Sequence, residues 1–209
     1  MDFEDVVRER RSVRDYDSSR PVSDSDLQRL FEQVKLSPSS YNLQPWEFIV
    51  VRGEANRKRL FGCTNGQKHI ERAPATVIVL GSTNPSQKAE AIALDRERKG
   101  LMDASKKEAF FARVKSLTEN KDDARFWALG SVSLAAMTLM LAARNMGISS
   151  CPVGNLNEEL IKKEFNIPGS YAVLLLITLG YESKPAPERP MRFGYSEIVH
   201  LEEFGNKAR

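Results

Sequence analysis

Apolar residues recur every three or four positions along much of the 209-residue chain, which is the spacing of one face of a helix. Ser23 begins one such segment, with Asp26 three residues later as an approximate capping box, and Pro38 ends it. The segment 125–145 is apolar nearly all round, which predicts a central helix, and Gly147 is placed to end it. The predicted helices are 3–10, 23–37, around 57–60, 125–145 and 158–165.

Short apolar runs rich in branched and aromatic side chains predict the strands. Residues 48–51 have this composition, and residues 76–80 and 171–179 are continuous apolar runs, as in buried strands. Residues 197–201 are expected to form an edge strand or a tail. Strands separated by helices predict an α+β or α/β fold in which helices cover a sheet, and the helical share is too large for an all-β fold.

The stretch from about residue 85 to residue 123 differs from the rest of the chain in composition. It is rich in Lys, Glu, Asp and Ala, with Phe110 and Phe111 as its main aromatic residues. We expect solvated helices here, as an excursion from a single domain that spans residues 1–209, because a chain of this length ordinarily makes one domain.

Charge and cysteine content narrow the classes of protein. The formal net charge is only +3, and basic residues alternate with Asp and Glu, so nucleic acid is not an expected partner. Cys63 and Cys151 lie far apart in the sequence and show no metal-ligand spacing with the two histidines. The polar N-terminus does not resemble a signal sequence, and the longest apolar stretch, 134–143, is too short to cross a bilayer. We therefore expect a cytoplasmic protein with reduced thiols and no metal or membrane partner.

Three arginines and a hydroxyl group lie within one short run near position 10. Arg10, Ser12 and Arg14 would share one face of an extended segment, and Arg11 lies between them. Guanidinium groups bind phosphate in fork geometry, so the run predicts a phosphate site. Alternatively, the run is a solvated basic turn, because cations suit the C-terminal end of a helix.

A second polar run, residues 37–46, ends on an aromatic strand. Pro38 is followed by Ser39, Ser40 and Asn42, whose short polar groups can pair with the N and O edges of a flavin ring without adding charge. The alternative is an ordinary connection between a helix and a strand, where Ser, Pro and Asn are common. Together the two runs offer cations for a phosphate and neutral groups for a heteroaromatic ring, which points to FMN.

Two further loops are candidates to contact such a cofactor. Asn65, Gln67 and Lys68 lie in a loop flanked by glycine, where a cation beside the flavin pyrimidine edge would stabilise the anionic reduced ring. The alternative for Lys68 is an ordinary exposed lysine. Gly154, in the run 151–155, would let the backbone approach a ligand closely.

The C-terminal arginines and the cysteine complete the candidate residues. Arg189 and Arg192 lie in a Pro-rich stretch, and either could close over a phosphate. Cys151 is interpreted as a structural thiol, because no histidine lies beside it in the sequence. The sequence has no G-x-G-x-x-G after a strand and no P-loop, so a Rossmann nicotinamide site is not supported. No side chain is assigned a catalytic role.

Three motifs, in order along the chain, resemble the FMN-dependent nitroreductase family. They are Arg-Arg-Ser-Val-Arg at 10–14, Ser-Pro-Ser-Ser-Tyr-Asn-Leu-Gln-Pro-Trp at 37–46, and a long Ala/Leu helix that runs into Gly-Ile-Ser-Ser-Cys-Pro-Val-Gly at 147–154. The resemblance implies an α+β, nitroreductase-like fold with a mostly antiparallel central sheet covered by helices. It also implies an intertwined homodimer with one FMN at each end of the interface.

The resemblance also implies that both subunits of the dimer contact each FMN. The implied contacts are Arg10, Arg11, Ser12 and Arg14 from one subunit; Pro38, Ser39, Ser40 and Asn42 from the other; Pro152, Val153 and Gly154 along the ring; Asn65, Gln67 and Lys68 near its edge; and Arg189, with Arg192 as the alternative, at the phosphate. Many members have an acidic residue and then Gly after the Pro-aliphatic pair, where this chain has Gly154 and Asn155.

The implied activity is electron transfer from NADH or NADPH through FMN to a nitroaromatic, a quinone or a similar small oxidant, by a ping-pong mechanism. Arg14 and Lys68 are expected to stabilise negative charge on the ring, and Arg10 and Arg189 to hold the phosphate. Alternatives are a family member with another flavin task, such as dehalogenation, enal reduction or flavin breakdown, and a non-enzymatic FMN-binding protein. A small basic nucleic-acid module is the least supported, because no stacking aromatic residues accompany the arginines.

Overall fold

A computed structural model describes residues 1–84 and 86–208 of the chain. These residues form helices and strands in an α+β arrangement. In chain order the elements are α1 Phe3–Glu9, α2 Asp24–Val34, β1 Trp46–Val51, α3 Glu54–Gly62, α4 His69–Arg72, β2 Ala75–Ser82, α5 Ser86–Arg98, α6 Ala104–Ser116, α7 Lys121–Asn145, β3 Ser149–Val153, α8 Glu158–Glu164, β4 Tyr171–Gly180 and α9 Tyr195–Ile198.

A four-stranded sheet lies at the centre of the fold, with the strand order β1-β2-β4-β3. Each neighbouring pair of its strands is antiparallel, which confirms the α+β class and the antiparallel sheet. All eight residues of the inner strand β2 are buried, as its continuous apolar sequence predicts.

Helix α7 packs against the sheet and supplies much of the core. Gly81 of β2 lies directly beneath it: a Cβ atom there would meet Cγ2 of Val132 at 3.1 Å and Cβ of Ala128 at 3.4 Å. The absence of a side chain at Gly81 therefore sets how closely the helix approaches the strand.

Two helix ends form as the sequence predicts. The side chain of Ser23 accepts a hydrogen bond from the amide of Asp26 at 3.0 Å and so caps α2. At the end of α7, Gly147 has a φ of 74°, and the amide of Ile148 donates to the carbonyl of Ala143 at 2.8 Å.

The stretch after β2 is helical, as predicted, but it is not simply solvated. α5 and α6 form a hairpin, and each buries one apolar face. The resulting cluster consists of Leu43, Ala89, Ile92, Ala93, Met102, Phe110 and Val114. The outer faces of both helices carry many charged residues, so the composition of the stretch does not reveal the apolar face that each helix buries.

Three elements differ from the sequence predictions. Residues 149–153 form the edge strand β3 because they pair with β4, whereas the sequence predicts a loop for the run 151–155. The short helix α4 follows the predicted Gly/Asn loop. Residues 197–201 do not form the edge strand that is one of the two expectations; they are the end of α9 and an irregular segment in which His200 makes an isolated bridge with Lys207.

By length and composition, α7 is the one described helix that could cross a membrane. The stretch 134–143 within it, the longest apolar stretch of the sequence, is too short to do so by itself. Half of its most apolar part is buried inside the protein. A central helix that packs on a sheet has this pattern of burial.

Candidate functional site

The arginine run at 10–14 is an extended segment that lies beside β3. The amide of Val13 donates to the carbonyl of Ser150 at 3.0 Å, and Ser12 forms an isolated parallel bridge with Ser150. Val13 is buried, whereas Ser12 and Arg14 on either side of it are exposed. The expected alternation of the extended segment is therefore present.

The C-terminal stretch crosses over this segment and is anchored to it by Arg189. Nη2 of Arg189 donates to the carbonyls of Val7, Arg8 and Arg10 at 3.2, 2.8 and 2.7 Å. These carbonyls belong to the end of α1, so the guanidinium group caps that helix. Arg11 also donates to the carbonyl of Pro187.

A cavity of about 250 Å³ lies between the arginine run and the C-terminal stretch. We name it the arginine cavity. Its charged lining residues are Arg10, Arg11, Arg14, Arg189, Arg192 and one acidic residue, Glu188. Burial lowers the pKa of Arg10, and the charges of Arg189 and Arg192 lower it further. This excess of positive charge in a partly enclosed space is suited to a multiply charged anion such as a phosphate.

His69 lies next to this site and was not identified from the sequence. It is 6% exposed, and its Nε2 atom is buried without a hydrogen-bond partner among the described residues. Burial lowers its pKa, and the charge of Arg14 lowers it further. The one available sequence signal is its position directly after Lys68, which is exposed.

Cys151 lies in β3, near Arg14. It is 1% exposed, and burial raises the pKa of its thiol, although Arg14 and Ser12 partly oppose this. A thiol held in its neutral form is a poor nucleophile, in agreement with its interpretation as a structural cysteine.

The loop after α3 contacts the loop after β3 through one side-chain hydrogen bond and one backbone bridge. Nδ2 of Asn65 donates to Oδ1 of Asn155 at 2.6 Å. Thr64 and Leu156 form an antiparallel bridge beside this contact. Asn155, where the sequence departs from the family pattern, therefore contacts the side chain of Asn65 directly.

The remaining candidates in these loops differ in exposure. Gln67 and Pro152 are half-buried and Gly154 is exposed. Val153 is 4% exposed and packs in a core cluster that includes Leu60 and Leu176, so its side chain faces the core.

The turn that contains Pro38, Ser39, Ser40 and Asn42 lies in a separate place in the described chain. None of the hydrogen bonds, ion pairs or cavities of residues 1–84 and 86–208 joins it to the arginine cavity. The structure thus brings together the N-terminal and C-terminal arginines, and separately Asn65 and Asn155. It does not bring the 38–42 motif to either group within one chain.

The antiparallel sheet and its covering helices define an α+β fold, and the arginine cavity beside the edge strand defines a candidate anion site. Comparison with known proteins identifies the family. The sequence model described as "Nitroreductase family" matches residues 7–181. "Putative NAD(P)H nitroreductase YodC" of Bacillus subtilis is 31% identical over 182 residues, which are 87% of this chain and 90% of that protein. The chain therefore belongs to the nitroreductase family.

Solved structures agree with this assignment. The crystal structure of ydfN from Bacillus subtilis has a TM-score of 0.90 at 29% identity, and the match covers 95% of this chain and 98% of that one. A protein of Exiguobacterium sibiricum, crystallised in complex with FMN, has a TM-score of 0.86 at 26% identity and covers 97% of this chain and 98% of its own. The nitroreductase-like fold expected from the motifs is confirmed.

Proposed function

We propose that the protein is an NAD(P)H-dependent FMN oxidoreductase that passes electrons to nitroaromatics, quinones or similar small oxidants in a ping-pong sequence. The observation that carries the proposal is the arginine cavity, found in a chain of the nitroreductase family. FMN would supply the redox chemistry, and the protein would bind and orient it and tune its charge.

The arginine cavity fits the phosphate of FMN. Arg10, Arg11, Ser12 and Arg14 line one side of it, and Arg189 lines the other. Arg189 is already held in place by three carbonyl groups, so little side-chain freedom is lost when it binds an anion. We therefore assign the C-terminal phosphate contact to Arg189.

The flavin ring would be contacted by Arg14 and by residues of three segments: the turn at 38–42, the loop at 65–68 and the run 152–154. Arg14 and Lys68 would favour negative charge at its edge, and neutral His69 adds no charge of its own there. Neutral contacts would come from Pro38, Ser39, Ser40, Asn42, Asn65, Gln67, Pro152 and Gly154, and from the backbone of Val153, whose side chain faces the core.

An intertwined homodimer would complete the site, because one chain keeps its two motifs apart. The C-terminal region exposes large apolar side chains, among them Phe193 at 63% and Phe204 at 96%. At the edge of the sheet opposite β3, the strand β1 lies beside an open groove of about 510 Å³ lined by Phe31, Trp46 and Phe48. Exposed apolar surface of this extent is typical of a chain that packs against a partner, and we propose a second copy of this chain.

We place the enzyme in the cytoplasm. Cys63 and Cys151 are both free and buried, as expected in a reducing compartment.

The visible spectrum of the purified protein tests the proposal directly. We expect flavin absorbance, release of FMN on denaturation, and oxidation of NADH or NADPH in the presence of a quinone. A ping-pong sequence predicts parallel double-reciprocal plots at several quinone concentrations. A colourless protein that takes up no FMN would refute the proposal, and bound FMN without NAD(P)H oxidation would favour a non-enzymatic flavin carrier.

A further inference from the structure

The turn at 38–44 has an unusual backbone. Tyr41, Asn42 and Gln44 have positive φ values of 55°, 60° and 45°. Residues with a Cβ atom rarely adopt this region, and Gln44 is further restricted because it precedes a proline. Three such residues in four positions store conformational strain, which persists only where neighbouring structure imposes it.

The turn itself supplies only part of that restraint. The amides of Asn42 and Leu43 donate to the carbonyls of Ser39 and Ser40 at 3.0 and 3.1 Å. The amide of Gln44 donates to Oγ of Ser39 at 2.9 Å, so the position of this hydroxyl depends on the conformation of Gln44.

The α5–α6 hairpin supplies two cations that bind the strained carbonyl groups. Nη2 of Arg96 donates to the carbonyl of Tyr41 at 3.2 Å. Nζ of Lys88 donates to the carbonyl of Gln44 at 2.7 Å and pairs with the carboxylate of Glu47 at 3.0 Å. Charge-assisted hydrogen bonds are stronger than neutral ones, and these two lie at either end of the strained segment.

Apolar packing reinforces the same connection. Leu43 is 1% exposed and packs in the hairpin cluster with Ile92 and Phe110. The ring of Tyr41 lies edge-on to Phe110 at a centroid distance of 6.5 Å, and the guanidinium of Arg96 lies 5.3 Å from the centre of the same ring. The hairpin therefore holds the turn through its buried face as well as through its charges.

We propose that the α5–α6 hairpin is a support for the cofactor turn, in which Arg96 and Lys88 are positioning residues for Ser39, Ser40 and Asn42. The assignment of these three residues to the cofactor rests on the proposed function, whereas the support of the turn does not. Loss of either cation would let the turn relax, and the polar groups of Ser39 and Asn42 would lose their fixed orientation.

Hydrogen exchange in the full-length protein tests the support without any flavin. Arg96→Met and Lys88→Met keep the long apolar stem of each side chain and remove its donor. We expect exchange of the amides at 42–44 to become about tenfold faster in each variant. Lys99→Met and Lys106→Met are matched controls, because both lysines lie in the hairpin region and their ion pairs among residues 1–84 and 86–208 are with nearby Asp95 and Asp103.

FMN binding tests the positioning role. We expect the Kd for FMN to rise about tenfold in Arg96→Met and the midpoint potential of the bound flavin to shift, with both recovered largely in Arg96→Lys. Gln44→Gly provides a second test of the positioning role. Glycine adopts a positive φ without strain, so the turn should then depend less on Lys88. Lys88→Met should therefore weaken FMN binding less in the Gln44→Gly background than in the native chain.

The outcomes separate the two proposals. Unchanged exchange at 42–44 in Arg96→Met and Lys88→Met would refute the support of the turn. Faster exchange with unchanged FMN affinity and potential would refute the positioning role. If the native protein takes up no FMN, the proposed function fails while exchange still decides whether the hairpin holds the turn. If Arg96→Met does not fold, the positioning role is tested by Arg96→Lys and by comparing Lys88→Met in the native chain with Lys88→Met in the Gln44→Gly background.

Discussion

The imidazole of His69 is held neutral by its surroundings. Burial and the charge of Arg14 lower its pKa below the ordinary value of 6.5. As pH falls, the unfolded chain therefore takes up this proton before the folded protein does. The contribution of His69 to stability is complete above about pH 6.5 and is lost as pH falls from 6.5 through the lowered folded pKa.

His69→Gln should remove this part of the pH dependence, because glutamine keeps a polar side chain that does not titrate. Urea unfolding at about pH 7.5 and about pH 5.5 measures it. We expect the free energy of unfolding to fall less in the variant than in the native protein over this interval. Equal losses in the two proteins would show that His69 does not titrate differently on folding.

Arg10 and Arg189 should discriminate between FMN and riboflavin, which lacks the phosphate. In Arg10→Met and Arg189→Met we expect the Kd for FMN to rise by about 10- to 100-fold, as for loss of a charge-assisted bond of about 1.5–3 kcal/mol. The Kd for riboflavin should change little. Equal weakening of both ligands would place these arginines away from the phosphate.

Asn155 should contribute to FMN affinity through its hydrogen bond with Asn65. Asn155→Gly removes the 2.6 Å hydrogen bond and frees the side chain of Asn65, so we expect FMN binding to weaken about two- to tenfold, from a bond of about 0.5–1.5 kcal/mol. Asn155→Asp keeps an acceptor at the same place and should retain most of the affinity. Fluorescence titration with FMN distinguishes the two, and equal affinity in all three proteins would argue against this role.

At the scale of elements, the fit of α7 on β2 depends on a missing side chain. Gly81→Ala would place a Cβ atom 3.1 Å from Cγ2 of Val132, in a core that cannot easily yield. We expect a loss of about 1–3 kcal/mol in the free energy of unfolding.

Gly62→Ala is the matched control for this substitution. A Cβ atom at Gly62, in the last turn of α3, meets nothing within 4 Å, and we expect its free energy of unfolding to stay the same or rise by up to about 1 kcal/mol. Equal effects of the two substitutions in urea unfolding would contradict the close packing of α7 on β2.

The whole molecule is predicted to build each site from two chains. Arg10→Met and Asn42→Ala, each purified alone, should both bind FMN weakly. A mixed dimer of the two variants has one site with both defects and one intact site. We therefore expect it to recover tight binding of one FMN per dimer, measured by titration after co-expression with two affinity tags.

The opposite outcome would identify a site within a single chain. If the Arg10 and Asn42 groups served the same FMN from one chain, no mixture could restore an intact site. Sedimentation of the native protein as a monomer with bound FMN would lead to the same conclusion.

Elements and residues that depend on near neighbours were predictable from the sequence alone. Helix α7 follows from a long segment that is apolar nearly all round, and the strand β2 follows from a short continuous apolar run. Ser23 and Gly147 set helix ends through residues a few positions away. The arginine run has its expected alternation, because an extended segment places successive side chains on opposite faces.

The tertiary structure decided everything that depends on residues far apart in the sequence. Arg96 reaches the carbonyl of Tyr41 from 55 positions away, and Asn65 reaches Asn155 from 90. The burial of His69 and the pairing of β3 likewise come from elements distant along the chain. Local pattern determined most of the helices and strands and identified the basic residues as candidates. The strand β3, the joining of the N-terminal and C-terminal arginines in one cavity, the neutral histidine and the strained turn follow from packing, because no local periodicity encodes such contacts.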